Sequence, residues 1–363
     1  MKYQDEYRDR DLVQGLAERL RACAAGAGRA MTFMEVCGTH TMAIYQYGLR
    51  GLLPPEVRLI SGPGCPVCVT PNTYLDKAIA CCRLPDTIVA TFGDMLRVPG
   101  STSSLMEERA RGADIRIVYS PLDAVKIASA NPDRRVVFLG VGFETTAPTI
   151  AGSILAARTA GLANFLVLSA HKTMPTPMQA LAADPELAID GFICPAHVST
   201  IIGADAYLPL AEEFGRPCVI TGFEPADVLQ GVLMLAGQVA KGESRVEIQY
   251  RRAVKPEGNR KAREILDQVF TPCDAEWRGL GTIPGSGLRI REEFAAFDVE
   301  QSLALTVEPS CEPAGCRCGD VLKGKITPFD CPLFATVCTA DAPVGACMVS
   351  TEGTCAAAYK YGR

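Results

Sequence analysis

Short apolar runs closed by Gly, Pro, Cys or polar punctuation, with helical stretches between them, predict an α/β fold with two Rossmann-like parallel-sheet halves. The runs lie at 31–36, 57–60, 87–91, 115–119, 136–139, 165–168, 191–194 and 218–221. Strands buried on both faces read as near-continuous apolar runs, and alternation with helices at 122–130, 146–159 and 225–239 is the pattern of βαβ units. A third, small C-terminal region is predicted by the cysteines: seven of the sixteen fall between Cys311 and Cys355.

In chain order, Leu12, Leu16 and Leu20 recur at a spacing of four and predict an amphipathic helix over 11–26. Residues 1–30 are expected to form this helix and pack with the tail. Residues 31–120 are expected to form the first α/β domain and 121–240 the second. A short echo supports similar halves: Phe138-Leu-Gly-Val-Gly-Phe-Glu144 and Val219-Ile-Thr-Gly-Phe-Glu224 both run strand, Gly-Phe-Glu, helix. From about 241 the rhythm fails, so 241–363 reads as a linker, with Trp277 and the turn-rich stretch 281–287, followed by the cysteine-rich region. That tail is too short and too rich in Gly and Pro for a large core of its own, which a metal centre would offset.

Composition is ordinary for a globular protein, with 48% hydrophobic and 21% charged residues. A net charge of −5 leaves no basic footprint for nucleic acid or an anionic membrane. The charged start lacks the apolar core of a signal peptide, and no apolar run reaches the roughly 18 residues of a membrane helix. A cytoplasmic protein is expected. In that reducing compartment cysteines serve as metal ligands, redox thiols or small buried residues.

Ligands of open α/β sheets bind beyond the carboxyl ends of the strands. Five motifs fall at such ends: Cys37-Gly-Thr-His40, Gly62-Pro-Gly-Cys-Pro-Val-Cys68, Gly142-Phe-Glu-Thr-Thr146, Ser169-Ala-His-Lys172 and Cys194-Pro-Ala-His-Val-Ser199. All three histidines are expected in strand-end loops sharing one site. Cys37, ahead of a helix, is expected to be acidified by the helix N-terminus, with His40 as its hydrogen-bond donor or base. Cys65 and Cys68 form a C-x-x-C after a strand, a spacing that suits either a redox dithiol or transient metal binding. Glu144 reads equally as a proton acceptor or a helix N-terminal carboxylate. His197 completes the expected cleft. No phosphate-binding glycine loop follows any strand, so nothing points to nucleotide-dependent chemistry.

In the tail, Cys311, Cys316, Cys318, Cys331, Cys338, Cys347 and Cys355 offer more thiols than one centre needs. Only Cys316-Arg-Cys318 is a close pair; the wide spacing of the others favours an iron–sulfur cluster over a zinc knuckle. Composition leaves the four ligands unchosen.

Together these motifs resemble the HypD family of hydrogenase maturation factors. The likeness spans nearly the whole chain, from Met34-Glu-Val-Cys-Gly-Thr-His-Thr41 to Gly315-Cys-Arg-Cys-Gly-Asp320 and Cys347-Met-Val-Ser-Thr-Glu-Gly-Thr-Cys355. It implies a [4Fe-4S] cluster on C-x14-C-x6-C-x16-C, which Cys316, Cys331, Cys338 and Cys355 satisfy. It further implies a scaffold for the Fe(CN)2CO group of [NiFe]-hydrogenases, working with the small chaperone HypC and receiving cyanide from HypE. By motif, Cys37 would ligate that iron, supported by His40, and Cys65 with Cys68 would cycle as the dithiol. The rival expectation is a freestanding iron–sulfur thiol-disulfide oxidoreductase.

Overall fold

The computed structural model describes residues 5–362. Its strands are β1 Met31–Glu35, β2 Val57–Ser61, β3 Thr87–Thr91, β4 Asp114–Ile117, β5 Arg135–Gly140, β6 Phe165–Ser169, β7 Gly191–Cys194, β8 Cys218–Ile220, β9 Val246–Ile248, β10 Phe270–Trp277 and β11 Gly281–Ile290. The first eight coincide with the eight apolar runs. Two parallel sheets result, β2-β1-β7-β8-β9 and β4-β3-β5-β6, beside an antiparallel β10–β11 hairpin.

Strand alternation distributes the side chains between layers. Phe33, Leu59, Ile193 and Val219 face a layer formed by α1 (Arg10–Ala27) and the helix Pro225–Lys241. Their neighbours Met34, Ile60, Phe192 and Ile220 face a central core, which Val89, Val137 and Leu168 of the second sheet enter from the other side. The outer face of the second sheet, including Ile88, Val136 and Phe165, packs on Ile150 and Ile154 of the helix Ala147–Thr159 and on Phe270 and Ile290 of the hairpin.

The sheets do not divide the chain at residue 120. The first sheet takes strands from both sides of the second, because β1 pairs with β7, Met34 lying opposite Phe192. Short strands apolar on both faces carry no record of which neighbour they will meet, so chain order is a poor guide to sheet membership. β9 joins the first sheet, so that sheet extends past residue 241. The glycines at 281–287 belong to β11, not to a free turn. Gly287 sits there because a Cβ would meet that of Ala275 across the hairpin at 2.7 Å.

α1 packs on Pro225–Lys241, with Leu16 against Ala226 and Leu229 and Leu20 against the first sheet. It does not pack with the tail as expected. Leu12 is 45% exposed, one turn short of that contact. The tail instead enters the central core, through Cys318, Val321, Leu322, Ala346, Cys347 and Met348. It shares the core of the two sheets, which is how so short a segment finds burial. Among the described residues no helix is long and apolar enough to cross a membrane.

Candidate functional site

Strand order reverses between β1 and β7 in the first sheet and between β3 and β5 in the second. Such reversals open the crevice at a sheet's carboxyl end. Here the two crevices face one another. Cys37 and Thr39 after β1, His197 after β7, and Phe143 and Thr146 after β5 line one cleft of about 380 Å³. Gly64, Pro66 and Glu352 of the tail complete its wall.

Close backbone packing holds these pieces together. A Cβ on Gly64 would stand 2.3 Å from the Cys37 nitrogen, and one on Gly38 would stand 2.5 Å from the Glu352 Cβ. Only glycine admits both approaches. The Gly38 N–H donates to the Gly64 carbonyl at 3.0 Å, and Thr39 Oγ1 donates to Glu352 Oε1 at 2.7 Å.

Cys37 caps α2 (Gly38–Gln46) and is buried. The expected acidification is overridden. Burial pushes the thiol up to about 12, the Glu352 carboxylate adds to the rise, and the backbone N–H groups of His40 and Thr39 oppose it. Removing a thiolate from water outweighs two N–H donors when no cation is near. The free thiol therefore holds its proton at neutral pH. Glu352→Gln keeps an oxygen for Thr39 and removes the charge. Its Cys37 should alkylate at a lower pH than in the wild type; an unchanged pH profile, followed by mass spectrometry of the Cys37 peptide, would refute the electrostatic role of Glu352.

His40 does not turn its ring to Cys37. Nε2 lies 3.0 Å from the Gly222 carbonyl, 3.2 Å from that of Thr221 and 2.9 Å from Thr221 Oγ1, tying α2 to the end of β8. Carbonyls only accept, so Nε2 carries the proton. Burial lowers the ring to about 4, which keeps it neutral. His40 and His197 lie in the first turns of helices (His197 in Ala196–Ile202) rather than in loops, and both rings pack on Phe223, at 4.7 and 4.3 Å. His171 stands apart: it packs on Phe270 and bonds Ser169 at 2.9 Å. The three histidines do not share one site.

Cys65 and Cys68 are joined as a disulfide, their Cα atoms 5.2 Å apart, in α3 (Pro66–Val69) and at its N-cap. The bond lies behind the wall that Gly64 and Pro66 present to the cleft.

Glu144 turns away from the cleft. Its Oε1 accepts the Met174 N–H at 2.9 Å, its Oε2 has no partner among the described residues, and burial pushes the carboxyl up to about 7. It anchors the segment leading into the helix Pro175–Ala183. Glu35, buried under Cys37, is likewise raised to about 7 by burial, against hydrogen bonds from Ser61 and Thr41. Both side chains keep protons in the folded state that the unfolded chain releases near 4.5. Their contribution to stability is complete below that value and is lost as pH rises through about 7. His40 acts oppositely: its contribution is present above 6.5 and lost as pH falls through about 4. Urea titrations of Glu144→Gln should show a shallower loss of stability between about pH 5 and pH 8 than the wild type; parallel curves would contradict this.

In the tail, Cys316, Cys331, Cys338 and Cys355 line one small enclosed space with Val321, Leu333, Phe334 and Met348. Four thiols brought from several loops to one apolar-walled space are the kind of donor set that an iron–sulfur cluster would need. Among the described residues, no three Cys, His, Asp or Glu side chains converge tightly enough for a single ion. Cys318 lines the same space, so spacing rather than position separates it from the four. Cys347 contacts the sulfurs of Cys318 and Cys355. Cys311 is exposed and apart, its carbonyl accepting from Asn72 and Ser101. Glu352 escaped sequence reasoning, although it lies inside the Cys347–Cys355 motif, where a lone carboxylate between two thiols was the available signal.

The fold and site define an α/β thiol protein whose cleft is built from two sheets and a cysteine-rich tail. A HypD profile, described as "Hydrogenase formation hypA family", matches residues 11–362. The chain is 50% identical over 371 residues to the hydrogenase maturation factor HypD of Rhizobium leguminosarum bv. viciae, covering 100% of this chain and 96% of that protein. It is 50% identical over 370 residues to HypD of Azotobacter vinelandii (100% and 97% covered) and 46% identical over 366 residues to that of Escherichia coli K12 (99% and 98% covered). The chain belongs to the HypD family, and its function lies in hydrogenase maturation.

Proposed function

We propose that this protein is the scaffold on which the Fe(CN)2CO group of [NiFe]-hydrogenases is assembled, together with a HypC-type chaperone and with cyanide delivered by HypE. One observation carries the reading: Cys37, His197 and Glu352 meet in a cleft backed by the Cys65–Cys68 pair. Cyanide and CO hold iron as a low-spin ion, which a soft thiolate suits. Cys37 is the ligand from this chain, and the chaperone's N-terminal cysteine takes the same iron. His40 holds the ligand loop: its ring anchors α2, and its backbone N–H faces the Cys37 sulfur.

The Cys65–Cys68 disulfide takes two electrons and two protons to become a dithiol. Cys316, Cys331, Cys338 and Cys355 would hold a [4Fe-4S] cluster, which supplies electrons one at a time. The helix Ala346–Val349 packs against α3, and the Cys68 sulfur lies 4.0 Å from the Ala346 carbonyl oxygen. Cys347, next in sequence to Ala346, contacts the tail thiols Cys318 and Cys355. This is a redox-active assembly scaffold rather than a turnover enzyme, and it acts in the cytoplasm.

The test is an infrared spectrum of the chaperone complex isolated from hydrogenase-producing cells. Cyanide and CO stretching bands are expected, and their absence sinks the scaffold reading. The disulfide itself favours the second reading, a freestanding thiol-disulfide oxidoreductase. Full disulfide-reducing turnover on partner proteins, unaffected by Cys37→Ala, would support that alternative.

A further inference from the structure

A groove of about 720 Å³ lies away from the cleft, and none of the cysteines lines it. Its floor is β2, which stands at the edge of the first sheet and, among the described residues, pairs only with β1. The Glu56 carbonyl and the Gly62 N–H face β1. Alternation therefore turns the N–H groups of Leu59 and Ser61 to the open side. Exposed edges are ordinarily blunted by bulges, prolines or a covering element. β2 runs in unbroken register over its five residues, roughly 16 Å of edge at about 3.3 Å per residue.

Ile44 and Leu53 wall one side of the groove and Val321 and Ile326 the other, with Phe329 57% exposed at its end. Arg50 and Arg58 line it, and no acidic residue does. Arg50 rests on the Tyr45 ring and reaches Ser61 Oγ at 3.3 Å. Arg58 is exposed and has no ion pair within 4 Å among the described residues; Asp330 acts on it only from farther off.

We propose that this groove receives an extended segment of a partner protein, added as a strand beside β2, whose apolar side chains alternate with acidic ones that meet Arg50 and Arg58. Main-chain pairing would supply affinity, and the apolar walls and arginines specificity. A second copy of this chain is the poorer occupant, since edge-to-edge pairing would bring like charges together and press the walls of two grooves against each other.

The probe is a short acetylated peptide of alternating Glu and Val, with a Lys–Val peptide as control, each titrated into the full chain. The Glu–Val peptide should bind saturably and slow amide exchange at Leu59 and Ser61. Arg58→Glu, an exposed change expected to leave the melting curve in place, should weaken it by about tenfold and favour the Lys–Val peptide. No saturable binding by about 1 mM, equal binding of both peptides, or binding without protection of those amides overturns the proposal. Self-association that Arg58→Glu abolishes and the peptide cannot displace assigns the groove to a second copy and overturns it as well.

Discussion

Cys37→Ala should erase the cyanide and CO bands from the chaperone complex while leaving the tail's cluster absorption intact. Cys37 is the one cysteine that lines the cleft among the described residues, so no neighbour can take its place as a soft ligand. Loss of one buried sulfur costs about 1 kcal/mol of packing and leaves the fold in place. The backbone N–H groups that face the sulfur belong to α2, which His40 and Thr41 continue to anchor. Loss of bands with an unchanged melting profile therefore separates ligand loss from misfolding. Bands of unchanged position and intensity would show that the iron is held elsewhere.

Cys338→Ala should bleach the cluster and loosen the tail. Cys338 is buried against the small space that the four thiols line, and its sulfur accepts the Val344 N–H at 3.3 Å. The regular elements of the tail are short, its longest helix being the eight residues Thr354–Tyr361. Elements of this length do not hold themselves together in water. Small metal-held modules draw about 10–16 kcal/mol from their metal, so losing one ligand in four should be felt across the tail. Faster proteolysis within residues 304–345, together with lost visible absorption, is the expected pair of results. Cys318→Ala should keep the absorption. If Cys318→Ala bleaches the protein and Cys338→Ala does not, the spacing has assigned the wrong four thiols.

Local chemistry makes most of this molecule legible in its sequence. Strands β1 to β8 announce themselves because burial on both faces demands continuous apolar residues. Cys37, Cys65 and His197 stand just beyond strand ends, as their motifs predict, since that is where parallel sheets leave polar groups free. Misreadings came where a contact is distant or burial competes with a local rule. Met34 meets Phe192, and nothing within either strand records it. Cys37 sits at a helix N-terminus as read, yet desolvation reverses the expected acidity. Glu144 belongs to the motif but turns into the interior. Glu352 is invisible without the fold that carries the tail back to Gly38.

The insertion of one sheet inside the other also sets an order of assembly during synthesis. Strands β3 to β6 are contiguous and can pair as they emerge, whereas β1 must wait for β7 with one apolar flank uncovered. Pairings so distant in sequence form late. The last wall of the cleft, Glu352, leaves the ribosome after every strand of both sheets. Until then Cys37 is part of an open, half-made edge rather than a site. A nascent chain therefore presents no closed cleft, and whatever the cleft receives must wait for a nearly finished molecule.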